Sequence, residues 1–174
     1  MATQDYNRYC ITPFWTPESY YTLKYVQEEF NDPKQIAEWT TLGYDPTRLT
    51  GAMCDMRQQQ PVWNNRIVDQ FQRYGWKDIG TSYYRMNPGT VLPSHSDLYK
   101  RYIEIFNLQG QEHTIRRAIV FLEDWQSGHY SECCGDPVVS WTAGTVIEWT
   151  YDAPHMAANL GTTPRYTLQI TGHV

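Results

Sequence analysis

The chain has 174 residues, of which 41% are hydrophobic, 19% charged and 15% aromatic. This composition excludes a disordered chain and is typical of a single globular domain with one hydrophobic core. A formal net charge of −5 argues against a nucleic-acid partner, because nucleic-acid binding normally leaves a basic footprint.

The amino-terminal residues 1–6 are polar and lack the apolar segment of a signal peptide, and no apolar run approaches the length of a membrane span. The cysteines Cys10, Cys54, Cys133 and Cys134 lack the CxxC spacing of a zinc site, and adjacent cysteines rarely bond to each other. We therefore expect a cytoplasmic protein with reduced thiols and no membrane association.

Residues 1–76 are predicted to be mainly helical. Thr16-Pro17 is typical of an N-cap followed by proline in the first turn, and the apolar residues that follow recur at helical spacing. Asn31-Asp32-Pro33 would end this first helix. A second helix is predicted over residues 64–74, with Gly75 as its stop.

Residues 77–174 show short strand patterns separated by turn residues, and Asn87-Pro88-Gly89 predicts a tight turn. Many short strands at close spacing favour a β-sandwich or jelly roll. We therefore predict a single, mainly β (α+β) domain in which the N-terminal helices pack on a β core. The predicted strands are Ile79–Met86, Ile115–Leu122, Val138–Trp141, Thr145–Thr150, Pro154–Asn159 and Arg165–Thr171.

Three residues of this β region form a candidate metal site. In His95-Ser96-Asp97 an extended backbone places the imidazole and the carboxylate on the same face, and His155 supplies a second imidazole. Two imidazoles and one carboxylate are the ligand set with which non-haem Fe(II) sites hold the metal on one side and leave the other side open. The sequence therefore predicts that His95, Asp97 and His155 bind Fe(II).

Arg165 follows His155 by ten residues, and residues 160–164 are typical of a turn. If the two flanking strands form a hairpin, His155 and Arg165 lie opposite each other on one face, where Asn159 and Thr167 add polar contacts. A guanidinium is suited to gripping a carboxylate with two parallel hydrogen bonds. We therefore predict that Arg165 binds the far carboxylate of a five-carbon diacid such as 2-oxoglutarate, whose 2-oxo acid end would bind the metal.

The spaced residues resemble those of the Fe(II)- and 2-oxoglutarate-dependent dioxygenase superfamily, over roughly residues 83–172. Asn87-Pro88-Gly89 followed by His95-x-Asp97 is similar to a prolyl hydroxylase-like segment. The later part is similar to the aspartyl/asparaginyl β-hydroxylase type, through the ordered set Arg117, Trp141-Thr142-Ala143-Gly144, Asp152, His155 and Arg165.

This resemblance implies a double-stranded β-helix of the cupin-like, jelly-roll kind. It implies an enzyme that uses Fe(II), 2-oxoglutarate and O2 to hydroxylate a substrate, with release of succinate and CO2. It also implies that Tyr84, which stands near the position of a family tyrosine, and Arg117 bind 2-oxoglutarate. Arg116 is adjacent to Arg117, and strand alternation sends only one of the two inward.

The substrate is predicted from two segments, residues 98–113 and 125–137, that would form loops at the mouth of the site. The second carries Trp125, His129 and Tyr130, which favour a peptide or protein side chain over a small amino-acid-like metabolite. A demethylase acting on nucleic acids is disfavoured, because the second arginine of that type is replaced by Thr171. Two other functions stay open, namely a non-catalytic β-sandwich binding module and a metal-binding cupin that does not use 2-oxoglutarate.

Overall fold

A computed structural model describes residues 6–56 and 58–174 of the chain. The described part contains eleven strands, four α-helices and two short 3₁₀ helices. The strands are β1 (Tyr6–Cys10), β2 (Tyr25–Glu29), β3 (Thr50–Cys54), β4 (Lys77–Met86), β5 (Val91–His95), β6 (Ile115–Phe121), β7 (His129–Cys133), β8 (Asp136–Val138), β9 (Thr145–Thr150), β10 (His155–Asn159) and β11 (Arg165–His173). The α-helices are α1 (Glu18–Tyr21), α2 (Pro33–Thr41), α3 (Asn64–Arg73) and α4 (Lys100–Phe106), and the 3₁₀ helices are Pro46–Arg48 and Glu112–Thr114.

The strands form two antiparallel sheets, so the predicted mainly β jelly roll is confirmed. The large sheet has the strand order β1-β9-β6-β11-β4-β3-β2, and the small sheet has the order β5-β10-β7-β8. From β5 onward the chain passes repeatedly from one sheet to the other, except that β7 and β8 follow each other within the small sheet. Such crossings are typical of the two facing sheets of a jelly roll.

The two faces of the large sheet have different environments because side chains alternate along each strand. On one face Leu168 and Ile170 of β11 pack in a fully buried core with Ile67 and Phe71 of α3. On the other face Thr167, which is also buried, lines a cavity between the sheets. Helix α3 matches the predicted second helix, which is therefore confirmed together with its packing on the β core.

The first predicted helix is wrong. Only Glu18–Tyr21 is helical, and the chain then enters β2, which pairs with β3 at the end of the large sheet. The helical spacing of the apolar residues is therefore outweighed by the pairing of this segment with β3. Residues 1–76 supply three strands of the large sheet in their described part, besides helices α1 to α3.

The predicted hairpin of the last two strands is also wrong. Strand β10 pairs with β5 and β7 in the small sheet, whereas β11 pairs with β4 and β6 in the large sheet. The segment 160–164 therefore crosses from one sheet to the other instead of closing a tight turn. His155 and Arg165 consequently face a common cavity from opposite sheets rather than standing side by side on one sheet.

Candidate metal centre and its cavity

His95 and His155 are direct cross-strand partners on β5 and β10. Their ring centroids are 4.4 Å apart. Asp97, two residues beyond His95, places its carboxylate oxygens 4.0 Å from His95 Nε2 and 3.8 Å from His155 Nε2. One ligand atom from each of the three residues lies within 4.8 Å of the other two, which is close enough for a single ion.

Backbone carbonyls orient both imidazoles. His95 Nδ1 donates to the carbonyl of Pro93 at 2.7 Å, and His155 Nδ1 donates to that of Ala153 at 3.0 Å. Because a carbonyl only accepts, each Nδ1 carries the proton and each Nε2 keeps a lone pair directed to the centre. Burial lowers the pKa of His155 to about 4 and also lowers the pKa of His95, so both rings are neutral near pH 7. Neutral rings in this tautomer are what a metal ligand requires.

The Asp97 carboxylate is held by Arg117 of β6, across the cavity from the histidines. Arg117 Nε and Nη2 both donate to Asp97 Oδ2, at 3.1 and 3.0 Å, and Nη1 donates to Thr171 Oγ1 at 2.8 Å. Burial alone would raise the pKa of Asp97, but Arg117 and the two histidines outweigh it and keep that pKa well below its ordinary value. The carboxylate is therefore charged over the working pH range.

Aromatic rings enclose the histidines. Phe30 and Trp39 meet the ring of His95 edge-on, with centroid distances of 4.9 and 5.6 Å, and Trp149 lies 4.6 Å from the ring of His155. These contacts are typical aromatic packing geometries, and they restrict rotation of the imidazoles. Phe30 and Trp39 of the N-terminal part thus shield the candidate metal centre on one side.

A cavity of about 470 Å³ separates the two sheets, and the three candidate ligands lie in its wall. Its large-sheet wall consists of inward-facing residues of neighbouring strands, and its small-sheet wall carries the histidines. Among the lining residues are Tyr84, Arg117, Ile119, Ser131, Cys133, Ile147, Trp149, Ala157, Arg165, Thr167, Gln169 and Thr171.

Arg165 is a buried cation that forms no ion pair within the described residues, although the Glu123 carboxylate is near enough to raise its pKa slightly against the effect of burial. It is 2% exposed, and its Nη1 donates to the carbonyl of Tyr130 at 2.6 Å and to Ser131 Oγ at 3.3 Å. Its Nε has no hydrogen-bond partner, and no carboxylate of the described chain lies within ion-pair distance. Burial lowers the pKa of Arg165 to about 10, so the side chain remains charged at neutral pH. A buried charge of this kind calls for a bound anion.

The distance between Arg165 and the metal centre follows from the small-sheet register. Ser131, which contacts the guanidinium, is the cross-strand partner of Ala157, two residues along β10 from His155. Two residues of a strand span roughly 7 Å. The cation and the metal ligands are therefore separated by about the length of a five-carbon diacid, and the small Ala157 leaves the space between them open.

Tyr84 and Thr167 lie beside Arg165 on the large sheet. They are direct cross-strand partners on β4 and β11, both are buried, and both line the cavity. Burial raises the pKa of Tyr84 to about 12, although Arg165 opposes the shift, so the phenol stays neutral and can donate a hydrogen bond. The structure thus gathers Tyr84, Thr167 and Arg165 at one end of the cavity.

Arg117 faces the cavity. This agrees with the alternation of side chains along a strand, which sends only one of Arg116 and Arg117 inward. Arg116 instead donates to the carbonyls of His113 and Ile115. The ion pair of Arg117 with Asp97 places it at the metal end of the cavity rather than beside Arg165.

Four other predicted residues do not line the cavity. Asn159 is fully buried, and its side chain bonds to the carbonyls of Met86 and Thr163. His129 begins β7, where it is 2% exposed and bonds to Thr163 instead of forming part of a mouth loop. Trp125 donates to the carbonyl of His129, and the Tyr130 hydroxyl donates to Glu132.

Ser131, Cys133 and Gln169 line the cavity but were not predicted to do so. Ser131 and Cys133 belong to β7, which begins at His129, whereas this segment is predicted from the sequence to be a loop. Gln169 had a usable signal, since it lies at an even spacing from Arg165 and Thr167 on one strand and so shares their face.

Neither a family model nor a curated protein matches the chain. Among solved structures, a prolyl-4-hydroxylase from Pseudomonas putida is similar, with a TM-score of 0.53 and 16% identity over 90% of this chain and 95% of that chain. A predicted oxalate decarboxylase from Thermotoga maritima is more distant, with a TM-score of 0.41 and 12% identity over 72% of this chain and 82% of that chain. At 16% identity the likeness to the prolyl-4-hydroxylase shows the fold alone. Within the described residues, no helix has the length and apolarity needed to cross a membrane.

Proposed function

We propose that the protein is an Fe(II)- and 2-oxoglutarate-dependent oxygenase that hydroxylates its substrate and releases succinate and CO2. The observation that carries this proposal is the unpaired, buried Arg165, which faces the same cavity as the His95, Asp97 and His155 group. A metal site alone needs no such cation. A metal site with a diacid co-substrate does.

The donor set fits iron. Two neutral imidazoles and one carboxylate provide three ligands from one side, and the ion is left with open positions for other ligands. Bound iron would supply the activation of O2 that hydroxylation of a carbon atom requires. His95, Asp97 and His155 would hold it, and the backbone carbonyls of Pro93 and Ala153 keep the imidazoles in the required tautomer.

Arg165 would bind the distal carboxylate of 2-oxoglutarate through charge-assisted hydrogen bonds. The Tyr84 hydroxyl and the Thr167 hydroxyl stand on the same wall and would add neutral hydrogen bonds to that carboxylate. Because these three side chains are buried and packed, they fix the orientation of the co-substrate without rearrangement, and positioning is the protein's main contribution to such a reaction. The aromatic rings that pack on His95 and His155 would limit the access of water to the reacting centre.

For the primary substrate we propose a peptide or protein side chain, with a small amino-acid-like metabolite as the second candidate. The cavity volume leaves room beyond a diacid for a side chain, and its wall includes Ser82, Gln169 and Tyr102 as uncharged hydrogen-bonding groups. Succinate release that is stimulated by free amino acids but by no protein fraction would reverse this order.

The proposal is tested with the purified protein under anaerobic conditions. Addition of Fe(II) followed by 2-oxoglutarate should produce a visible charge-transfer absorption band, and admission of O2 should yield succinate. Arg165→Gln should lose the band at 2-oxoglutarate concentrations that saturate the parent. Arg85→Gln is the matched control, because Arg85 lies on the neighbouring strand β4 and contacts Tyr25 instead of the cavity.

Two outcomes contradict the proposal in different ways. If Fe(II) binds to the three ligands but neither the band nor succinate appears, the protein is a metal-binding cupin that does not use 2-oxoglutarate. If Fe(II) does not bind, the cavity belongs to a non-catalytic binding module.

A further inference from the structure

We propose that Arg117 is a positioning residue that confines Asp97 to metal binding through a single carboxylate oxygen, Oδ1. This inference rests on the proposed metal site. It assigns to Arg117 a role in the geometry of that site and no direct contact with the far end of the co-substrate.

The hydrogen bonds of Arg117 are unequally distributed over the carboxylate. Both Nε and Nη2 donate to Oδ2 of Asp97, which lies 3.8 Å from His155 Nε2. Oδ1 accepts no hydrogen bond from Arg117 and lies 4.0 Å from His95 Nε2. An oxygen that accepts two charge-assisted hydrogen bonds has less electron density to offer a cation. Oδ1 is therefore the better ligand atom, and Oδ2 is retained by the guanidinium.

The guanidinium itself is fixed in position. Its Nη1 donates to Thr171 Oγ1 at 2.8 Å, and Thr171 is the cross-strand partner of Arg117 between β11 and β6. The Tyr99 ring packs against the guanidinium with its centroid 5.4 Å from the central carbon. Contacts on three sides hold the arginine beside Asp97, so the carboxylate cannot rotate without breaking an ion pair that is four-fifths buried on both sides.

The consequence concerns the number of open metal positions. An octahedral ion with one atom from each of three protein ligands keeps three positions, which suffice for a two-atom chelating co-substrate and one further small ligand. A carboxylate that bound through both oxygens would occupy one of these positions. Arg117 thereby preserves the space in which a chelating 2-oxo acid binds.

The experiment uses Co(II) as the metal probe and oxalate as a chelating ligand, with the visible Co(II) spectrum as the readout. In Arg117→Gln the carboxylate is free to bind through both oxygens, and a positive charge near the metal is removed. We therefore expect Co(II) affinity to be equal or higher, the Co(II) spectrum to change, and oxalate binding to the Co(II) protein to weaken by about tenfold or more. Azide, which takes a single position, should be affected less.

The matched control is Arg116→Gln, which removes the same charge from the neighbouring position but leaves Asp97 and its ion pair intact. It should reproduce the parent in Co(II) spectrum, Co(II) affinity and oxalate affinity. Thr171→Val is a milder second variant that removes one hydrogen bond from Arg117, and it should weaken oxalate in the same direction by a smaller factor.

The inference is overturned if Arg117→Gln, still folded by circular dichroism, binds Co(II) more weakly but binds oxalate per Co(II) as the parent does. It is equally overturned if the variant matches the parent in every readout. Both results concern Arg117 alone, because the parent protein would still bind Co(II). A parent that binds no Co(II) would instead contradict the metal site, and the role of Arg117 with it.

Discussion

The ring of Tyr84 lies over the backbone of Gly51, so that a Cβ added to Gly51 would overlap the tyrosine hydroxyl. Glycine on β3 thus provides the space in which the phenol reaches the cavity. We expect Gly51→Ala to displace Tyr84, to cost about 1–3 kcal/mol of folding free energy through overpacking, and to weaken 2-oxoglutarate binding. Denaturant unfolding and titration of the anaerobic Fe(II) protein measure the two effects.

Gly80→Ala is the control for this substitution. Gly80 also lines the cavity, on β4, but no heavy atom lies within 4 Å of a Cβ added there. This variant should keep the stability and the 2-oxoglutarate affinity of the parent. A Gly51→Ala protein that binds 2-oxoglutarate as tightly as Gly80→Ala would show that Tyr84 does not contact the co-substrate.

Replacement of Arg165 by methionine should separate ligand binding from folding. Loss of the charged partner should weaken 2-oxoglutarate by about 2–4 kcal/mol, because the bound carboxylate is left without its cation in a buried site. The ligand-free variant should lose little stability, because removal of a buried charge without an ion pair offsets the loss of the hydrogen bonds from Nη1 to Tyr130 and Ser131. Isothermal titration calorimetry measures the 2-oxoglutarate affinity, and thermal unfolding without ligand measures the stability.

Fe(II) affinity serves as the internal control, because Arg165 contacts no candidate ligand. A variant that binds 2-oxoglutarate normally, or that loses several kcal/mol of ligand-free stability, would show that Arg165 is a structural residue.

The grouping of the three candidate metal ligands could be predicted from the sequence because it depends on local rules. An extended His95-Ser96-Asp97 places two side chains on one face whatever the rest of the fold is. His155 then required only that its strand lie beside the first, and the structure brings the three residues within 4.8 Å. The alternation that sends one of Arg116 and Arg117 inward is equally local.

Relationships between distant strands could not be predicted in the same way. The pairing of β10 and β11 with different sheets depends on long-range contacts, and a turn-like segment 160–164 between two strands does not reveal it. Arg117 lies on β6 of the large sheet, whereas Asp97 lies twenty positions earlier, two residues after the end of β5. Their ion pair depends on how the two sheets face each other, which the sequence pattern does not indicate. Residues 125–137 are predicted to form a mouth loop, whereas in the structure residues 127–128 form a turn and His129 begins β7.

Metal binding should stabilise the folded protein by mass action, since the three ligands come together only on folding. A metal concentration about one hundred times the Kd adds about 2.7 kcal/mol, which for a domain of this size raises Tm by roughly 5–10 °C. His95→Ala and His155→Ala should lose this increase, because two remaining ligands form a weak site. Asp97→Ala should retain part of it.

Scanning calorimetry with Co(II) under reducing conditions measures these shifts. His113→Ala is the control, because His113 lies in a 3₁₀ helix and is not among the candidate ligands. Equal Co(II)-induced increases in Tm for His155→Ala and His113→Ala would remove His155 from the metal site.

We expect Asn159 to stabilise the fold and not to contact 2-oxoglutarate. Its amide nitrogen donates to the carbonyls of Met86 and Thr163, both at 2.8 Å, and its Oδ1 accepts from the backbone of Gly161 at 3.0 Å. Asn159→Ala would leave these buried groups without partners, at a cost of about 2–4 kcal/mol. We expect a clear loss in the free energy of unfolding. The folded variant should bind 2-oxoglutarate with an affinity within about twofold of the parent, because loss of a hydrogen bond to the ligand would lower the affinity by more than that. If Asn159→Ala instead keeps the stability of the parent and binds 2-oxoglutarate about tenfold more weakly or worse, the Asn159 amide contacts the co-substrate and the structural role is wrong.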